Sequence, residues 1–450
     1  MISVSGMRGL VGTDLTPEIV ARHAAALGAW VRSSGGTHVV LGRDARTSGE
    51  MFARAATAGL QSVGVDVIDV GVAPTPTVQM AVEHHCAGAG LIITASHNPI
   101  EWNALKFVGP DGIFLDAAAG ATVRALAADG PQRAGWDEIG SATIDDGAIA
   151  RHLDAILALP DIDAEAIRAR GFHVALDCVR GAGAPTMLAL FDRLGVRVSG
   201  INLESDGRFP RPPEPVPENL GALGELVQQS AADIGMAVDP DVDRLALVDE
   251  TGAPIGEDYT LALAIRAVLA RQMPGSTPPV VVANLSTSLV VADAARAGGA
   301  RFLQAPVGEA NVARAIVANG ATIGGEGNGG VILPALHVGR DAPLGAALIL
   351  QYLAGLGRSL SAMVREAPRY VIVKAKAERG GDLEAQYRRL AAIFPDAELD
   401  RRDGLRLGWS DRWLHVRPSG TEPIVRLIAE APTIEGADAL IARARDAREG

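Results

Sequence analysis

Short apolar runs alternate with amphipathic stretches along the chain as far as about residue 365. The runs, such as 38–41, are rich in β-branched residues and end near glycine or proline, which is typical of buried strands. The stretches between them have helical spacing, and the first begins at Pro17 behind the predicted capping residue Thr16. This alternation predicts largely parallel sheets flanked by helices.

The same pattern divides the chain into four predicted domains. Residues 1–150, 151–253 and 254–366 each have the alternating pattern of an α/β domain. In residues 367–450 the predicted strands lie closer together, which indicates an α+β domain with an antiparallel sheet. No sequence repeat is evident, but three α/β domains of similar size suggest structural repetition.

Composition and charge narrow the classes of function. The 450-residue chain has a formal net charge of −12, which argues against binding to nucleic acid or to an anionic membrane. The N-terminus lacks a signal-peptide pattern, and no apolar run approaches the ~20 residues that span a bilayer. Cys86 and Cys178 could form one disulfide, but two buried thiols in a reducing compartment are favoured. We therefore expect a cytoplasmic protein, in which an anionic substrate needs a local basic cluster.

A polar turn follows the predicted strand 91–93 and ends at Pro99. It places Ser96 at the C-terminal end of a strand, where open α/β sheets bind their ligands. The hydroxyl is a candidate nucleophile, although serine in such a turn is by itself more often a turn former. Lys106 lies downstream and is one of only three lysines among 41 basic residues. Because lysine changes its protonation state when desolvated, Lys106 is either an acid or base or an ordinary solvated lysine.

Three carboxylates at alternate positions, Asp239, Asp241 and Asp243, follow the predicted strand 234–238. Carboxylates spaced in this way can converge on one hard divalent cation. An EF-hand is excluded, because its sixth position requires glycine and that position here is Arg244. A phosphatase with an aspartyl nucleophile also fits poorly. A metal site and a solvated acidic turn remain, and the apolar flanking strands favour the metal site.

Two further loops carry groups suited to a sugar phosphate. In the glycine-rich loop 324–330, Glu326 and Asn328 suit adjacent sugar hydroxyls, or the loop is only a flexible turn. The loop 417–423 is a hairpin connection whose arginine, hydroxyls and glycine amides can also cradle a phosphate. The groups concerned are those of Arg417, Ser419, Gly420, Thr421 and, beyond the loop, Arg426. A hydroxyl, a cation site, a polyol site and a phosphate site together favour phosphoryl transfer involving a sugar phosphate.

These motifs, in this order and spacing, resemble those of the α-D-phosphohexomutase family over nearly the whole chain. The matching segments are 5–9, 42–49, 94–99 with 103–107, 239–244, 325–329 and 417–423. The sugar loop is most similar to that of archaeal-type phosphoglucosamine mutases.

The resemblance implies a heart-shaped enzyme of three related α/β domains with mixed, largely parallel sheets and a C-terminal α+β domain, each giving one loop to a central cleft. It implies that Ser96 is carried as phosphoserine and that Mg²⁺ binds Asp239, Asp241, Asp243 and an oxygen of the Ser96 phosphate. The serine then donates its phosphoryl group to a hexose monophosphate. The resulting hexose 1,6-bisphosphate returns its other phosphate, so that hexose 6-phosphate and hexose 1-phosphate interconvert.

The resemblance also implies roles for the surrounding residues. Arg8, Lys106 and His97 would handle protons and stabilise charge beside Ser96. The substrate would be bound by Arg244, Glu326, Asn328, Arg417, Ser419, Gly420, Thr421 and Arg426.

Two departures from the family pattern concern the sugar loop. Many members have serine in place of Asn328 and histidine in place of Gly330, so any acid or base role of that histidine falls to another residue, and His337 is near in sequence. The loop favours glucosamine 6-phosphate as substrate, with mannose or glucose phosphate as the alternative. An alternative of another class is a catalytically silent sugar-phosphate-binding protein. We expect a monomer or homodimer with no nucleic-acid or membrane partner, whose C-terminal domain closes on the substrate.

Overall fold

The computed structural model describes residues 2–3, 6–272, 277–419 and 424–449. Within these residues the chain forms four sheets, one in each of the four segments that the sequence pattern delimits. The first three sheets are mixed and carry helices, whereas the fourth is antiparallel throughout. The predicted fold class is therefore confirmed.

The first sheet has seven strands. They are β1 (Ile2–Ser3), β2 (Gly6–Leu10), β3 (His38–Arg43), β4 (Asp66–Val72), β5 (Ala89–Ile93), β6 (Trp102–Val108) and β7 (Ala142–Ile144). The helices are α1 (Pro17–Ser33), α2 (Gly49–Gln61), α3 (Thr75–His84) and α4 (Ala117–Asp129). The order across the sheet is β1-β2-β6-β5-β3-β4-β7.

The second and third sheets have four strands each. The second contains β8 (His173–Asp177), β9 (Arg197–Ile201), β10 (Ile234–Val238) and β11 (Leu245–Val248), with helices α5 (Ala148–Leu157), α6 (Ala164–Arg170), α7 (Gly183–Arg193) and α8 (Gly221–Ser230) and a 3₁₀ turn at Pro217–Asn219. The third contains β12 (Val280–Asn284), β13 (Arg301–Ala305), β14 (Ile323–Glu326) and β15 (Gly330–Ile332), with helices α9 (Asp258–Arg271), α10 (Leu289–Ala297), α11 (Glu309–Asn319), α12 (Ala342–Leu356) and α13 (Leu360–Glu366).

These three sheets repeat one topology. In each, a first strand (β3, β8 or β12) lies between two parallel partners, and the later partner (β5, β10 or β14) pairs with an antiparallel fourth strand (β6, β11 or β15). The turn from the third strand to the fourth therefore occupies the same place in each sheet. Those turns carry Ser96, the three aspartates, and Asn328 with its neighbour Glu326 at the end of β14. The repeated topology thus places a serine hydroxyl, three carboxylates and the polar groups of the glycine-rich loop at equivalent turns of the three sheets.

The C-terminal sheet is antiparallel, in the order β16-β20-β19-β18-β17. Its elements are β16 (Val371–Glu378), α14 (Leu383–Ile393), β17 (Glu398–Asp400), β18 (Leu405–Gly408), β19 (Trp413–Pro418), β20 (Ile424–Ala431) and α15 (Ile434–Glu449). The sheet buries one face on its own apolar core, which includes Leu390, Leu414 and Leu427.

A single hydrophobic core joins the second and third sheets. Helix α12 lies within it, and every residue from Ala342 to Gln351 is buried. A helix enclosed on all sides is apolar around its whole circumference, which explains why α12 lacks a polar face. The second and third domains therefore pack as one unit.

A search for membrane-spanning helices among the described residues gives no single helix of sufficient length and apolar character. By length and composition alone, α12 and α13 would pass together, although their axes meet at 86°.

Three local expectations need correction. The first residues of the predicted loop 324–330 belong to strand β14. The sequence did not indicate a strand there, because glycine lacks the side chains by which a strand is recognised. Thr16 is the N-cap of α1, but its side chain makes no capping hydrogen bond. Cys178 is a buried thiol as expected, whereas Cys86 is exposed in the turn after α3.

Candidate active site

The three equivalent turns open onto one cavity of about 880 Å³. The C-terminal sheet covers another side, since Lys374, Lys376, Arg417 and Arg426 also line the cavity. All four domains thus contribute side chains to a single cleft. In open α/β sheets, ligands bind outside the carboxyl ends of the strands, which is where the first three domains meet the cavity.

Ser96 lies in the turn after β5, is 3% exposed and has a left-handed backbone with φ 49°. This conformation is unfavourable for a residue that carries a Cβ. It is held in part by the Ser96 amide, which donates to Thr94 Oγ1 at 2.9 Å. The hydroxyl donates to Asp239 Oδ2 at 2.8 Å. The candidate nucleophile of the first domain is therefore in direct contact with the acidic loop of the second.

A buried arginine supports the serine turn from behind. Arg46 donates to the carbonyl oxygens of Ser96, Asn98 and Pro99, each at 2.7 Å. Its Nε also donates to Asp44 Oδ2 at 3.1 Å, and both side chains are fully buried. From the sequence, segment 42–49 was recognised only as a motif of the family, with no role predicted for Arg46. In the structure this segment fixes the backbone that presents the serine.

His97 lies beside the serine hydroxyl, and Arg8 contacts the same turn at Asn98. His97 Nδ1 is 3.4 Å from Ser96 Oγ. The positive charge of Arg244, together with burial and Arg8, lowers the pKa of His97 well below its ordinary value. The imidazole is therefore uncharged at pH 7, and the same positive charges disfavour its protonation. Arg8 Nη1 donates to Asn98 Oδ1 at 2.5 Å, and the side chain lines the cavity.

Lys106 on β6 reaches the acidic loop, where its Nζ donates to Asp241 Oδ2 at 2.6 Å. Burial alone would lower the pKa of Lys106, but the carboxylates of Asp241 and Asp243 outweigh it and raise the pKa above its ordinary value. The side chain is therefore a fixed ammonium charge at neutral pH. Lys106 is therefore not an ordinary solvated lysine. Of the roles of acid and base it can fill only that of the acid, because a charged ammonium can give a proton but cannot accept one.

The acidic loop is buried, and Asp239, Asp241 and Asp243 are each 0% exposed. One ligand atom from each lies within 4.8 Å of the others. Asp241 Oδ2 accepts from Lys106 and from Thr75 Oγ1, the latter at 2.9 Å. By contrast, Oδ1 of Asp241 and Oδ1 of Asp243 accept no hydrogen bond from the part of the chain that the structure describes, although Arg244 Nε lies 3.7 Å from the latter. Buried polar atoms without hydrogen bonds are costly, so two such carboxylate oxygens in one cluster of three aspartates indicate a site for a cation.

The charges in this loop agree with a cation site. Burial, followed by repulsion from Asp241 and Asp243, raises the pKa of Asp239 well above its ordinary value. A divalent cation would offset this repulsion, and carboxylate oxygens are the ligands that Mg²⁺ prefers. The residues present therefore fit a hard divalent cation. The alternative of a solvated acidic turn is wrong, because all three carboxylates are buried.

The sugar-loop residues are held in place rather than lying in a flexible turn. Glu326 is 4% exposed; its Oε1 accepts from Asn284 Nδ2 at 2.8 Å and its Oε2 accepts from Arg340 Nη1 at 2.8 Å. Asn328 Oδ1 accepts from the amide of Gly330 at 3.2 Å. Both Glu326 and Asn328 line the cavity.

A row of cations crosses the C-terminal sheet on the cavity side. Lys376 of β16 pairs with Arg426 of β20, which pairs in turn with Arg417 of β19. Directly opposite residues share one face of a sheet, and like charges there are destabilising. Arg417 also forms an ion pair of 2.9 Å with Asp403. Such a row suits a bound anion of high charge density, as a phosphate is.

The remaining predicted residues are placed as follows. Arg244 lines the cavity and its Nη1 donates to Glu214 Oε1 at 3.2 Å. Ser419 is buried at the end of β19. Gly420 and Thr421 lie outside the described residues.

His337 belongs to a different cluster. Its Nε2 lies 3.0 Å from Asp341 Oδ2, and His152 Nε2 lies 2.8 Å from the same oxygen. Thr77 Oγ1 contacts the other nitrogen of His152 at 2.8 Å. The cluster joins elements of three segments at the start of α12, and His337 is not among the residues that line the cavity. This placement argues against an acid or base role for His337.

The sequence analysis missed several residues of the cleft. Arg340 contacts both the acidic loop and Glu326, yet it has no sequence motif of its own. Lys374 and Lys376 had a signal, because they are two of only three lysines in the chain. The third is Lys106, so every lysine of the protein lines this cavity.

The site as a whole defines a class of enzyme. It combines a serine hydroxyl, a buried set of carboxylates fit for a divalent cation and a cationic surface across one cleft. Phosphoryl transfer requires these parts, since it depends on positioning and on offsetting negative charge. The fold and site are those of a phosphotransferase.

Comparison with known protein families identifies the group within that class. The models described as phosphoglucomutase/phosphomannomutase alpha/beta/alpha domains I, II and III match residues 2–133, 150–252 and 256–370, and the model of the C-terminal domain matches 371–447. The chain belongs to the phosphoglucomutase/phosphomannomutase family and is a phosphohexomutase. The family resemblance found in the sequence is confirmed.

Individual relatives match over their full length. The phosphoglucomutase/phosphomannomutase of Thermococcus kodakarensis is 40% identical over 438 residues, which is 96% of this chain and 94% of that protein. The probable phosphoglucosamine mutase of Methanopyrus kandleri is 36% identical over 449 residues, with 99% and 95% covered. Among solved structures, a phosphoglucomutase/phosphomannomutase family protein of Burkholderia thailandensis has a TM-score of 0.87 at 28% identity, with 100% and 99% covered.

Proposed function

We propose that this phosphohexomutase interconverts the 6-phosphate and the 1-phosphate of a hexose through phosphoserine 96 and a 1,6-bisphosphate, with glucosamine phosphate as the preferred substrate. The observation that carries the proposal is the 2.8 Å hydrogen bond from Ser96 Oγ to Asp239 Oδ2. It joins a candidate nucleophile to a buried carboxylate set that fits a divalent cation. The cationic row across the cavity supplies a place for a second phosphate.

Asp239, Asp241 and Asp243 would hold Mg²⁺ together with an oxygen on Ser96. When bound, Mg²⁺ offsets negative charge on the transferred phosphoryl group. The chain prepares this set, because Lys106 and Thr75 hold Asp241 by Oδ2 and leave its Oδ1 without a partner.

In the first transfer, the bond between phosphorus and Ser96 Oγ breaks as a bond forms between phosphorus and a sugar hydroxyl oxygen. The sugar hydroxyl gives its proton to a base, and Ser96 Oγ, the leaving group, takes up a proton as its bond to phosphorus breaks. This proton handling falls to His97, which is adjacent to Ser96, and to Lys106, a protonated ammonium that contacts the acidic loop. Arg8 and Lys106 supply positive charge close to the reacting group. The second transfer reverses these changes at the other phosphate, so the proton and the serine phosphate are both restored.

Between the two transfers the bisphosphate has to exchange its ends. Glu326 and Asn328 would hold sugar hydroxyls in either orientation. The non-reacting phosphate would be held by Arg417, Ser419, Gly420, Thr421 and Arg426. A cavity of about 880 Å³ is large enough for a drug-sized ligand, so it leaves room for this turn.

The preference for glucosamine phosphate is supported by the Glu-Gly-Asn-Gly-Gly sequence of the sugar loop and by relatives named as probable phosphoglucosamine mutases. Mannose or glucose phosphate is the second candidate substrate, since the 40% identical relative is named phosphoglucomutase/phosphomannomutase. The N-acetylphosphoglucosamine mutase of Aspergillus fumigatus was solved with GlcNAc-6P and magnesium and shares the fold, with a TM-score of 0.59.

The test combines intact mass with turnover of three substrates. Purified protein is incubated with Mg²⁺, a trace of the matching 1,6-bisphosphate, and the 6-phosphate of glucosamine, mannose or glucose. We expect a mass about 80 Da above that of the bare chain, from one phosphoryl group, and the highest kcat/KM with glucosamine 6-phosphate. A faster reaction with mannose or glucose 6-phosphate would move the substrate assignment but leave the mutase reaction intact.

A silent binding protein would behave differently in the same assay. It would bind sugar phosphates, but it would neither gain the phosphoryl mass from a 1,6-bisphosphate nor turn over any of the three substrates.

We also propose domain boundaries near residues 150, 253 and 366, supported by the four sheets that lie between them. We expect a cytoplasmic monomer or homodimer.

A further inference from the structure

Arg340 occupies a central position that the reaction described above leaves without a role. It precedes α12, is 6% exposed and lines the cavity. Its Nη2 donates to Asp243 Oδ2 at 2.5 Å and its Nη1 to Glu326 Oε2 at 2.8 Å. Its Nε donates to Glu309 Oε2 at 3.1 Å. One guanidinium therefore holds a carboxylate of the acidic loop and a carboxylate of the sugar loop at the same time.

A glycine makes room for this side chain. A Cβ placed on Gly330 would lie 2.2 Å from Arg340 Cδ and 2.8 Å from its Cγ. Gly330 is not among the glycines with positive φ, so its backbone does not require glycine. The arginine cannot move aside easily, because three carboxylates fix its far end. Gly330 is therefore explained by the path of the Arg340 side chain.

Two cationic side chains each bind one oxygen of an aspartate in the acidic loop. Lys106 holds Asp241 by Oδ2, and Arg340 holds Asp243 by Oδ2. In both aspartates the other oxygen, Oδ1, accepts no hydrogen bond from the described residues, and Arg244 Nε lies 3.7 Å from Oδ1 of Asp243. Each cation thus orients one carboxylate so that its second oxygen is available to a metal ion. Groups that orient metal ligands in this way affect metal affinity strongly.

We propose that Arg340 is a positioning residue that couples the metal site to the sugar site, and that Gly330 serves to admit it. Through Asp243 it orients a metal ligand, and through Glu326 it fixes the carboxylate that faces the sugar. The inference rests on the proposed function. It adds that loss of this one guanidinium weakens metal binding and sugar binding together.

Lysine cannot replace arginine in this role. A guanidinium presents its donors in a rigid planar fork, whereas an ammonium is a single charged point on a flexible stem. Arg340→Lys keeps the positive charge among the carboxylates but cannot hold Asp243, Glu326 and Glu309 together. Arg340→Lys therefore tests the arrangement of the hydrogen-bond donors while the positive charge is kept.

The test measures binding without turnover, in a Ser96→Ala background. The probes are Mn²⁺, followed by paramagnetic resonance of the free ion, and glucosamine 6-phosphate and inorganic phosphate, followed by calorimetry. With Arg340→Lys we expect the Kd for Mn²⁺ to rise about 10-fold to 100-fold. The Kd for glucosamine 6-phosphate should also rise at least about 10-fold, while that for inorganic phosphate stays unchanged, because phosphate binds to the C-terminal sheet.

Two matched controls accompany this variant. Arg54→Lys alters an exposed arginine that is paired with Glu50 by an ordinary surface contact, and it should change none of the three constants. Gly330→Ala leaves the arginine in the chain but obstructs its path, so it should weaken Mn²⁺ binding in the same direction. Because a Cβ there would also lie 3.1 Å from Asn328 Oδ1, the constant for Mn²⁺ and not that for the sugar phosphate is the one to compare in this variant. Gly355→Ala is its control, since a Cβ at that position meets nothing within 4 Å.

The binding constants test the role of Arg340, whereas turnover tests the proposed function. If Arg340→Lys lowers only the unfolding temperature and leaves the three binding constants as in the parent, Arg340 is a structural residue and the inference is wrong. Should Arg340→Lys fail to fold, Gly330→Ala decides by the constant for Mn²⁺. If the unmodified enzyme turns over no hexose 6-phosphate, the proposed function fails, and the Mn²⁺ measurement still tests the coupling.

Discussion

Ser96 combines a strained backbone with a hydroxyl that is already directed at the acidic loop. A left-handed conformation costs a residue with a Cβ about 1–2 kcal/mol, and such strain persists only where surrounding contacts impose it. Here Arg46 supplies them, through carbonyl oxygens on both sides of the turn. At the residue scale, the site depends on a buried support as much as on the reacting group.

Replacement of the serine tests the reaction directly. Ser96→Ala removes the hydroxyl and little packing, so we expect turnover and the phosphoryl mass to be lost with little change in the unfolding temperature. Ser33→Ala, at the exposed end of α1, is the control and should retain both. Activity in Ser96→Ala near that of the parent would contradict the phosphoserine mechanism.

Replacement of the supporting arginine tests the strain argument. Arg46→Met leaves Asp44 buried without its charged partner, and breaking such a pair costs about 3–5 kcal/mol of unfolding free energy. Denaturant unfolding measures this loss, and the phosphoryl mass should fall with it. Arg54→Met on the surface should change the free energy by less than about 0.5 kcal/mol. An equally small loss of unfolding free energy for Arg46→Met would show that the Ser96 turn keeps its conformation without Arg46.

At the scale of elements, the C-terminal sheet is joined to the third domain by polar contacts. Arg406 Nε donates to the carbonyl of Leu285 at 2.9 Å, and the amide of Leu289 donates to Glu430 at 2.8 Å. His415 on β19 is fully buried and lies 2.8 Å from Ser286 Oγ through Nδ1. Because polar groups form these contacts, the junction is sensitive to protonation.

Acid should weaken this junction. Burial lowers the pKa of His415 to about 4, although its bond to the Asp403 carbonyl opposes the shift. Between pH 4 and the unfolded value near 6.5 the unfolded chain binds more protons than the folded one, so stability falls as the pH is lowered through this range. The loss is on the order of 3 kcal/mol at 1.36 kcal/mol per pKa unit.

Unfolding measured at several pH values checks this expectation. His415→Gln should have a shallower fall in stability between pH 7 and pH 4.5 than the parent. His84→Gln, at the exposed end of α3, should follow the parent. If His415→Gln and the parent lose stability in parallel, the junction does not depend on this histidine.

At the scale of the whole molecule, the nucleophile and the cationic row lie on different domains. Ser96 belongs to the first sheet and Arg417 to the fourth, while the second and third sheets share one core. The fourth domain has its own core and polar contacts to its neighbour. Movement on binding is therefore expected at the fourth domain, where enzymes commonly close over a substrate.

Solution scattering tests this closure. A Ser96→Ala enzyme saturated with a hexose 1,6-bisphosphate and Mg²⁺ should have a smaller radius of gyration than the same protein without ligand. Inorganic phosphate alone lacks the sugar and the second phosphate that would link the domains, so it should produce less change. Identical dimensions in all three samples would contradict the expectation.

Much of the site was predictable because its parts are contiguous in sequence. The alternate aspartates at 239–243 and the glycine-rich segment at 324–330 carry their chemistry in a few neighbouring residues. The scarcity of lysine would also have indicated Lys374 and Lys376. Arg340 was not predictable, because its role comes from contacts with residues 97 and 14 positions away in the chain.

The sequence by itself determined the α/β class and indicated the candidate reacting groups, because these follow from local periodicity and from motifs of few residues. It did not show that three sheets repeat one strand order, since topology is set by pairing between distant segments. Only the tertiary structure decided which oxygen of Asp241 and of Asp243 accepts a hydrogen bond from a cationic side chain. It also separated His337 from the cleft and placed Arg340 within it, because burial and convergence depend on how the domains pack.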